Sequence, residues 1–134
     1  MRKYILFILL LTGGLFLSQC HNREKQRLVG VWKLNDLDIN GTRMTGASLG
    51  SWMWEFNAQG GYLVDVSGQR EKGVYKLNKD QLTVQITTAP NRPEATYTIA
   101  RLDSVQMVLS SITDKNKSTL SFVRMRAAGV VDND

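Results

Sequence analysis

From Leu28 onward one pattern recurs: short runs rich in Val, Ile, Thr, Tyr, Phe and Trp, alternating in polarity and separated by Gly, Asn and Asp. Trp52, Trp54 and Phe56 fall on one face of such a run, with Met53 and Glu55 on the other. Tyr62, Val64 and Val66 oppose Leu63 and Asp65 in the next; Leu82, Val84 and Ile86 oppose Thr83 and Gln85 further on. A period of two is what strands of a half-buried antiparallel sheet require, because successive side chains point to opposite faces. The pattern predicts eight strands, at 29–39, 51–57, 61–67, 70–78, 81–88, 95–103, 105–113 and 117–125. In the first, Trp32 and Leu34 share a face while Leu37 and Ile39 fall on the other. A bulge near Asn35–Asp36 would reconcile them. No helical period is visible after residue 20, and residues 127–134 read as a polar tail.

The links between the strands decide the architecture. All are short enough to join neighbours, so the expected topology is an up-and-down meander. Its loops then alternate between two ends. The links at 57–60, 78–80 and 103–104 are tight, whereas the other end carries 68–69, 114–116 and the two long links, 41–50 and 89–94. A laced end and a loop-bearing end fit a barrel with a floor and a mouth. The fold class read from these features is all-β, an eight-stranded antiparallel up-and-down barrel over residues 28–126.

The segment ahead of the barrel has a different logic. Arg2 and Lys3 precede an apolar run at 4–17 that is too short for a membrane-spanning helix of ~20 residues and suits a secretory signal. Leu17-Ser18-Gln19-Cys20 resembles a bacterial lipobox, with Gln19 where a small residue is usual. The resemblance implies that residues 1–19 are removed, that Cys20 is lipidated and that residues 20–27 are a tether, spanning at most ~25–30 Å when extended. The implied location is the cell envelope, lipid-anchored at the outer membrane, on its periplasmic or its surface face. Cys20 is the only cysteine, so no intramolecular disulfide or cysteine metal cluster can form. Loss of Arg2 and Lys3 lowers the basic count from 17 to 15 against 12 acids, and the net charge from +5 to +3. No dense basic stripe with interleaved aromatics marks a nucleic-acid surface.

Gly30-Val31-Trp32 opens the first strand and resembles the Gly-x-Trp signature of lipocalins and their calycin relatives. The run from Phe56 to Tyr62 and the strand–turn–strand from Gly73 to Leu82 are similar to hairpins of small bacterial lipocalin-like domains. The resemblance implies a lipocalin-like barrel in a small Gram-negative envelope lipoprotein. It also implies that Arg124, near the end of the last strand, packs across Trp32 and closes the floor, with Gly30, Trp32 and Arg124 serving structure rather than chemistry.

No catalytic constellation stands out, and no enzymatic activity is expected. The only histidine, His21, lies in the tether, so neither a metal site nor a cofactor is expected. Glu55, Asp65, Glu71 and Glu94 are scattered and read as solvated positions on strand faces. Eight strands can enclose one small ligand or be filled by side chains. A cavity would open at the long-loop end, with Trp52 and Trp54 lining it and Met44 and Leu49 as a lid. Arg43, Arg70 and Arg92 lie in or beside mouth loops, Arg92 being placed to meet an anionic group. Two functions follow: a barrel binding a small apolar or amphipathic ligand, or a filled barrel serving as scaffold for an outer-membrane protein complex, with Met53 facing out beside a groove.

Overall fold

The computed structural model describes residues 15–89 and 91–126. The expected basic start at Arg2 and Lys3, the apolar run up to residue 14 and the tail at 127–134 lie outside the described residues. The chain begins with helix α1 (Leu15–Leu28) and continues through nine strands: β1 (Gly30–Ile39), β2 (Thr42–Thr45), β3 (Trp52–Phe56), β4 (Gly61–Val66), β5 (Gln69–Asn78), β6 (Gln81–Ile86), β7 (Ala95–Leu102), β8 (Gln106–Ile112) and β9 (Lys117–Arg124). All pairings are antiparallel, and β1 also pairs with β9. The eight long strands therefore form a closed up-and-down barrel with one extra strand, β2. Closure removes the free sheet edges that an open meander would expose.

Each predicted strand is present with its ends within two residues of the expected ones. The predicted bulge is present too: the β1–β9 register shifts between Leu34 and Asp36. The shift lets Trp32, Leu34 and Leu37 all face the interior, whereas Ile39 at the rim is 37% exposed.

Two elements differ from expectation. The link at 41–50 contains β2, which pairs with Asp36–Ile39 of β1, followed by a 3-10 turn at Gly46–Leu49. Asn40 and Gly41 both take positive φ, 55° and 86°, and make the tight turn that starts this hairpin. Such paired positive φ values suit the right-handed twist of the flanking strands, and Asn-Gly tolerates them best. The second difference is the tether. Residues 20–27 lie within α1, and the helix ends with Val29 N–H donating to the Lys25 carbonyl. A helix advances only 1.5 Å per residue, so this stretch measures ~12 Å rather than an extended ~25–30 Å. Among the described residues no helix is long and apolar enough to cross a membrane.

The core fills the barrel from the floor upward. Leu28, Trp32, Leu82, Met107 and Leu109 are fully inaccessible to solvent, with Phe56 and Phe122 nearly so. Above them Trp54 sits among aromatic rings, at centroid distances of 4.8 Å to Phe122, 5.4 Å to Tyr62, 5.6 Å to Tyr97 and 6.2 Å to Phe56. Three of these four contacts are edge-on, the arrangement that aromatic quadrupoles favour.

Candidate functional site

The floor is built from three positions. Trp32 is the third residue of β1, with its indole wholly buried, and its Nε1–H donates to the Leu28 carbonyl at 2.8 Å. The guanidinium of Arg124, at the end of β9, lies over the indole with Cζ 4.3 Å from the ring centroid. Its Nη1 donates to the Val29 carbonyl at 2.8 Å, and its Nη2 donates to the Arg27 carbonyl. Arg124 thus ties the last strand to the chain leaving α1, and burial pulls its pKa below the usual guanidinium value. Gly30 completes the set. It takes φ +140°, and a Cβ there would sit 2.4 Å from Arg124 Nη1. The glycine leaves the space that the guanidinium fills.

The mouth is arranged differently. The first half of β1 (Gly30–Lys33) pairs with β3, whereas its second half pairs with β2. The two neighbours of β1 thus part near the mouth, and the 3-10 turn follows β2 there. Met44 and Leu49, the expected lid residues, are half-buried and pack against the core from this segment. Trp52 is also half-buried, at the mouth end of β3, and packs against the core. Trp54 lies one layer deeper, at 3% exposure inside the aromatic cluster rather than at the rim. The indole Nε1–H groups of both Trp52 and Trp54 are buried without an acceptor among the described residues.

The three arginines near the mouth each meet a carboxylate. Arg92 Nη1 lies 2.6 Å from Glu71 Oε2, Arg70 Nε lies 2.9 Å from Asp65 Oδ2, and Arg43 pairs with Asp36. Two of the carboxylates expected as solvated positions are therefore more than that. Asp65 is 6% exposed; hydrogen bonds from Arg70 and then from Gly68 N–H hold its pKa below the usual carboxylate value. Glu71 is half-buried, opposite the buried Val64. Its parity in the sequence, two residues before Gly73 and four before buried Tyr75, was the available signal. Burial, with smaller contributions from Tyr97 and Glu71, pushes the Tyr62 phenol well above its ordinary pKa. Burial also raises that of Tyr97. Both phenols thus stay protonated at neutral pH, and the upper interior offers O–H and N–H donors set in an apolar wall.

Outside the barrel, Met53 borders a groove of about 110 Å³ with Val31, Glu55, Leu63 and Arg70. Two clefts flank α1 at the floor. Among the described residues no group of three or more His, Cys, Asp and Glu is placed to hold a metal ion.

Comparison with known proteins agrees with this architecture. A lipocalin-like domain family matches residues 28–109, well over half of the chain. A lipocalin-like protein from Bacteroides uniformis is similar in structure, with a TM-score of 0.60 at 16% identity, covering 74% of this chain and 99% of its own. An uncharacterised protein from Bacteroides eggerthii gives 0.55 at 19% identity, covering 73% and 99%. At these identities the likeness speaks for the fold alone. No curated protein matches the chain. The closed eight-stranded barrel, its Gly30–Trp32–Arg124 floor and the family match together place this chain in the lipocalin-like domain family.

Proposed function

We propose that this protein is a lipid-anchored barrel of the cell envelope that binds a small amphipathic ligand in its mouth half. One observation carries the reading: Trp52 and Trp54 bury their indole N–H groups with no acceptor among the described residues. A buried donor left unpaired costs ~1–3 kcal/mol. A ligand oxygen entering at the mouth would remove that cost, while its apolar part lies against Met44, Leu49 and Trp52. The aromatic cluster around Trp54 limits how deep a ligand can reach. This favours a small molecule, or the end of a longer one, over a fully enclosed lipid. Arg92 at the rim, paired with Glu71, is a cation that could meet an anionic group on the ligand.

Anchoring at Cys20 supports a definite orientation. α1 meets the barrel at its floor, through Leu28 and Arg27. A bilayer attached to Cys20 then lies on the floor side, and the mouth opens away from it, toward the aqueous compartment. The outer membrane is the proposed site.

The reading is tested by titrating the protein with short-chain fatty acids, monoacylglycerols and alkanes of matched length, following tryptophan fluorescence. Oxygen-bearing ligands are expected to bind and to quench or shift the emission; the matched alkanes bind less well. Trp52→Phe keeps the apolar ring and removes one donor, and is expected to weaken binding by roughly 5- to 100-fold, the value of one buried hydrogen bond. Equal affinity of wild type and variant for every ligand would refute the donor role. The packed floor half also favours a second reading, a filled barrel that serves as scaffold for a protein complex. Native mass spectrometry of envelope-purified protein separates the two: a retained small molecule supports binding, a stable protein complex the scaffold.

A further inference from the structure

We propose that the cleft between α1 and the barrel floor is a second site, which takes the phosphate of an anionic lipid headgroup. The cleft, of about 400 Å³, is lined by Arg23, Gln26, Arg27, Ser104 and Arg124. Three arginines, a glutamine and a serine line it, and no Asp or Glu does among the described residues.

Arg23 and Arg27 are four residues apart on α1, so their charges sit one above the other and repel each other. Arg124 adds a third positive group from the end of β9. Among the described residues the four ion pairs engage Arg43, Arg70, Arg92 and Arg101, and none of the three cleft arginines. Arg124 spends two N–H groups on backbone carbonyls, and its Nε–H is buried without an acceptor.

The neighbouring cleft along α1 shows the contrast. There, in about 180 Å³, the carboxylates of Glu24 and Asp80 stand among Arg27, Lys79 and Arg101, and Arg101 is paired with Asp103. The first cleft thus carries the larger excess of positive charge, with three arginines and no carboxylate among the described residues that line it. Arg27 in the last turn complements the helix dipole, but Arg23, a turn earlier, gains little from it. A bound anion accounts for both. Planar guanidiniums pair with phosphate oxygens through two parallel hydrogen bonds, a match that an ammonium lacks.

The position of the cleft selects the source of the phosphate. Cys20 lies ~4.5 Å along the helix axis from Arg23 and ~10 Å from Arg27. Acyl chains on Cys20 would therefore hold the cleft within reach of headgroup phosphates, and basic groups so placed are attracted to anionic leaflets. The choice of a lipid over free phosphate rests on the anchoring proposed above; the anion-binding character of the cleft does not.

The test uses the full chain in a non-ionic detergent, with the arginine Nε–Hε resonances followed by NMR. Dihexanoyl phosphatidylglycerol, dihexanoyl phosphatidylcholine and inorganic phosphate are titrated separately. Saturable shifts at Arg23 and Arg27 are expected with phosphatidylglycerol at the lowest concentration, weakening as salt is added. Arg23→Gln with Arg27→Gln, both at exposed positions, is expected to weaken that binding by about tenfold or more while leaving the unfolding temperature unchanged. Equal response to inorganic phosphate would overturn the lipid source, and equal response to phosphatidylcholine the anionic headgroup. No saturable shift with any probe would overturn the site. Cys20→Ser in the same titration keeps the outcomes separate: it is expected to bind phosphatidylglycerol as wild type does, and loss of acylation bears only on the anchor.

Discussion

Gly30→Ala is the substitution whose cost the floor geometry defines best. Its Cβ would stand 2.4 Å from Arg124 Nη1, closer than any real contact, so the guanidinium must leave the indole face. A cation over a buried indole contributes ~2 kcal/mol, and that contact is lost. The bonds from Arg124 to the Val29 and Arg27 carbonyls are strained or broken as well. Their net loss is ~1–2 kcal/mol, because the displaced guanidinium regains water. The backbone adds a separate cost: φ +140° at residue 30 suits glycine and strains alanine by ~1–3 kcal/mol. The total is roughly 4–7 kcal/mol, so much of a marginal domain's stability would go. A double-mutant cycle with Arg124→Ala divides it. Without the guanidinium, Gly30→Ala should cost only the backbone part, leaving a coupling of ~3–4 kcal/mol. Urea unfolding followed by tryptophan fluorescence measures all four corners. Additivity within ~0.5 kcal/mol would refute the argument that the glycine exists to admit the arginine.

Gly73→Ala tests a clash that no rotamer can relieve, since its Cβ would lie 1.9 Å from the Gln85 carbonyl oxygen across the β5–β6 pair. It is expected to cost ~3 kcal/mol or more in the same assay, against near-neutral effects of alanine at neighbouring exposed positions. Asp103 accepts N–H bonds from Val105 and Gln106 and one from Arg101, in that order of effect, and its pKa is lowered to about 2. A carboxylate depressed on folding stabilises above its unfolded pKa and loses that contribution as pH falls through its folded one. Asp103→Asn should therefore melt below wild type at pH 6, with the gap closing between pH ~4 and about 2; a gap unchanged at pH 2 would contradict this. Cys20→Ser should abolish incorporation of a labelled fatty acid, and equal labelling of both proteins would remove the anchor.

The strands and the bulge were legible because period-two patterning is local: a pleated strand with one buried face writes its burial into every second residue. Trp52-x-Trp54-x-Phe56 needed no tertiary information to be read as one face. The β2 hairpin carried a signal that passed unused. Asn40-Gly41 is a strong turn pair, but Thr42–Thr45 is only four residues long and has one apolar side chain, Met44, to mark a face. The tether hid its helix for a related reason. Residues 21–27 are almost wholly polar, so a helix docked by its last residue, Leu28, shows no apolar stripe.

The candidate sites divide along the same line. Trp32 and Arg124 were readable from motif and position, whereas their partners were not, because the Leu28, Val29 and Arg27 carbonyls are backbone groups that carry no sequence signature. Alternation and link length are local quantities, and from the residues alone they carried the all-β meander with a tight end and a loop-bearing end, whereas the β1–β9 pair that closes it is non-local. That Trp54 belongs to the core and not to the rim came from packing, because its depth depends on Phe122, Tyr62 and Tyr97 arriving from three other strands. Packing also sets Glu71 against Arg92 and places Arg23 and Arg27 in one cleft with Arg124. Glu71 and Arg92 are 21 residues apart in the chain and meet at 2.6 Å because pairing of β5 with β6 returns the link after β6 to the start of β5, and no local pattern encodes that distance.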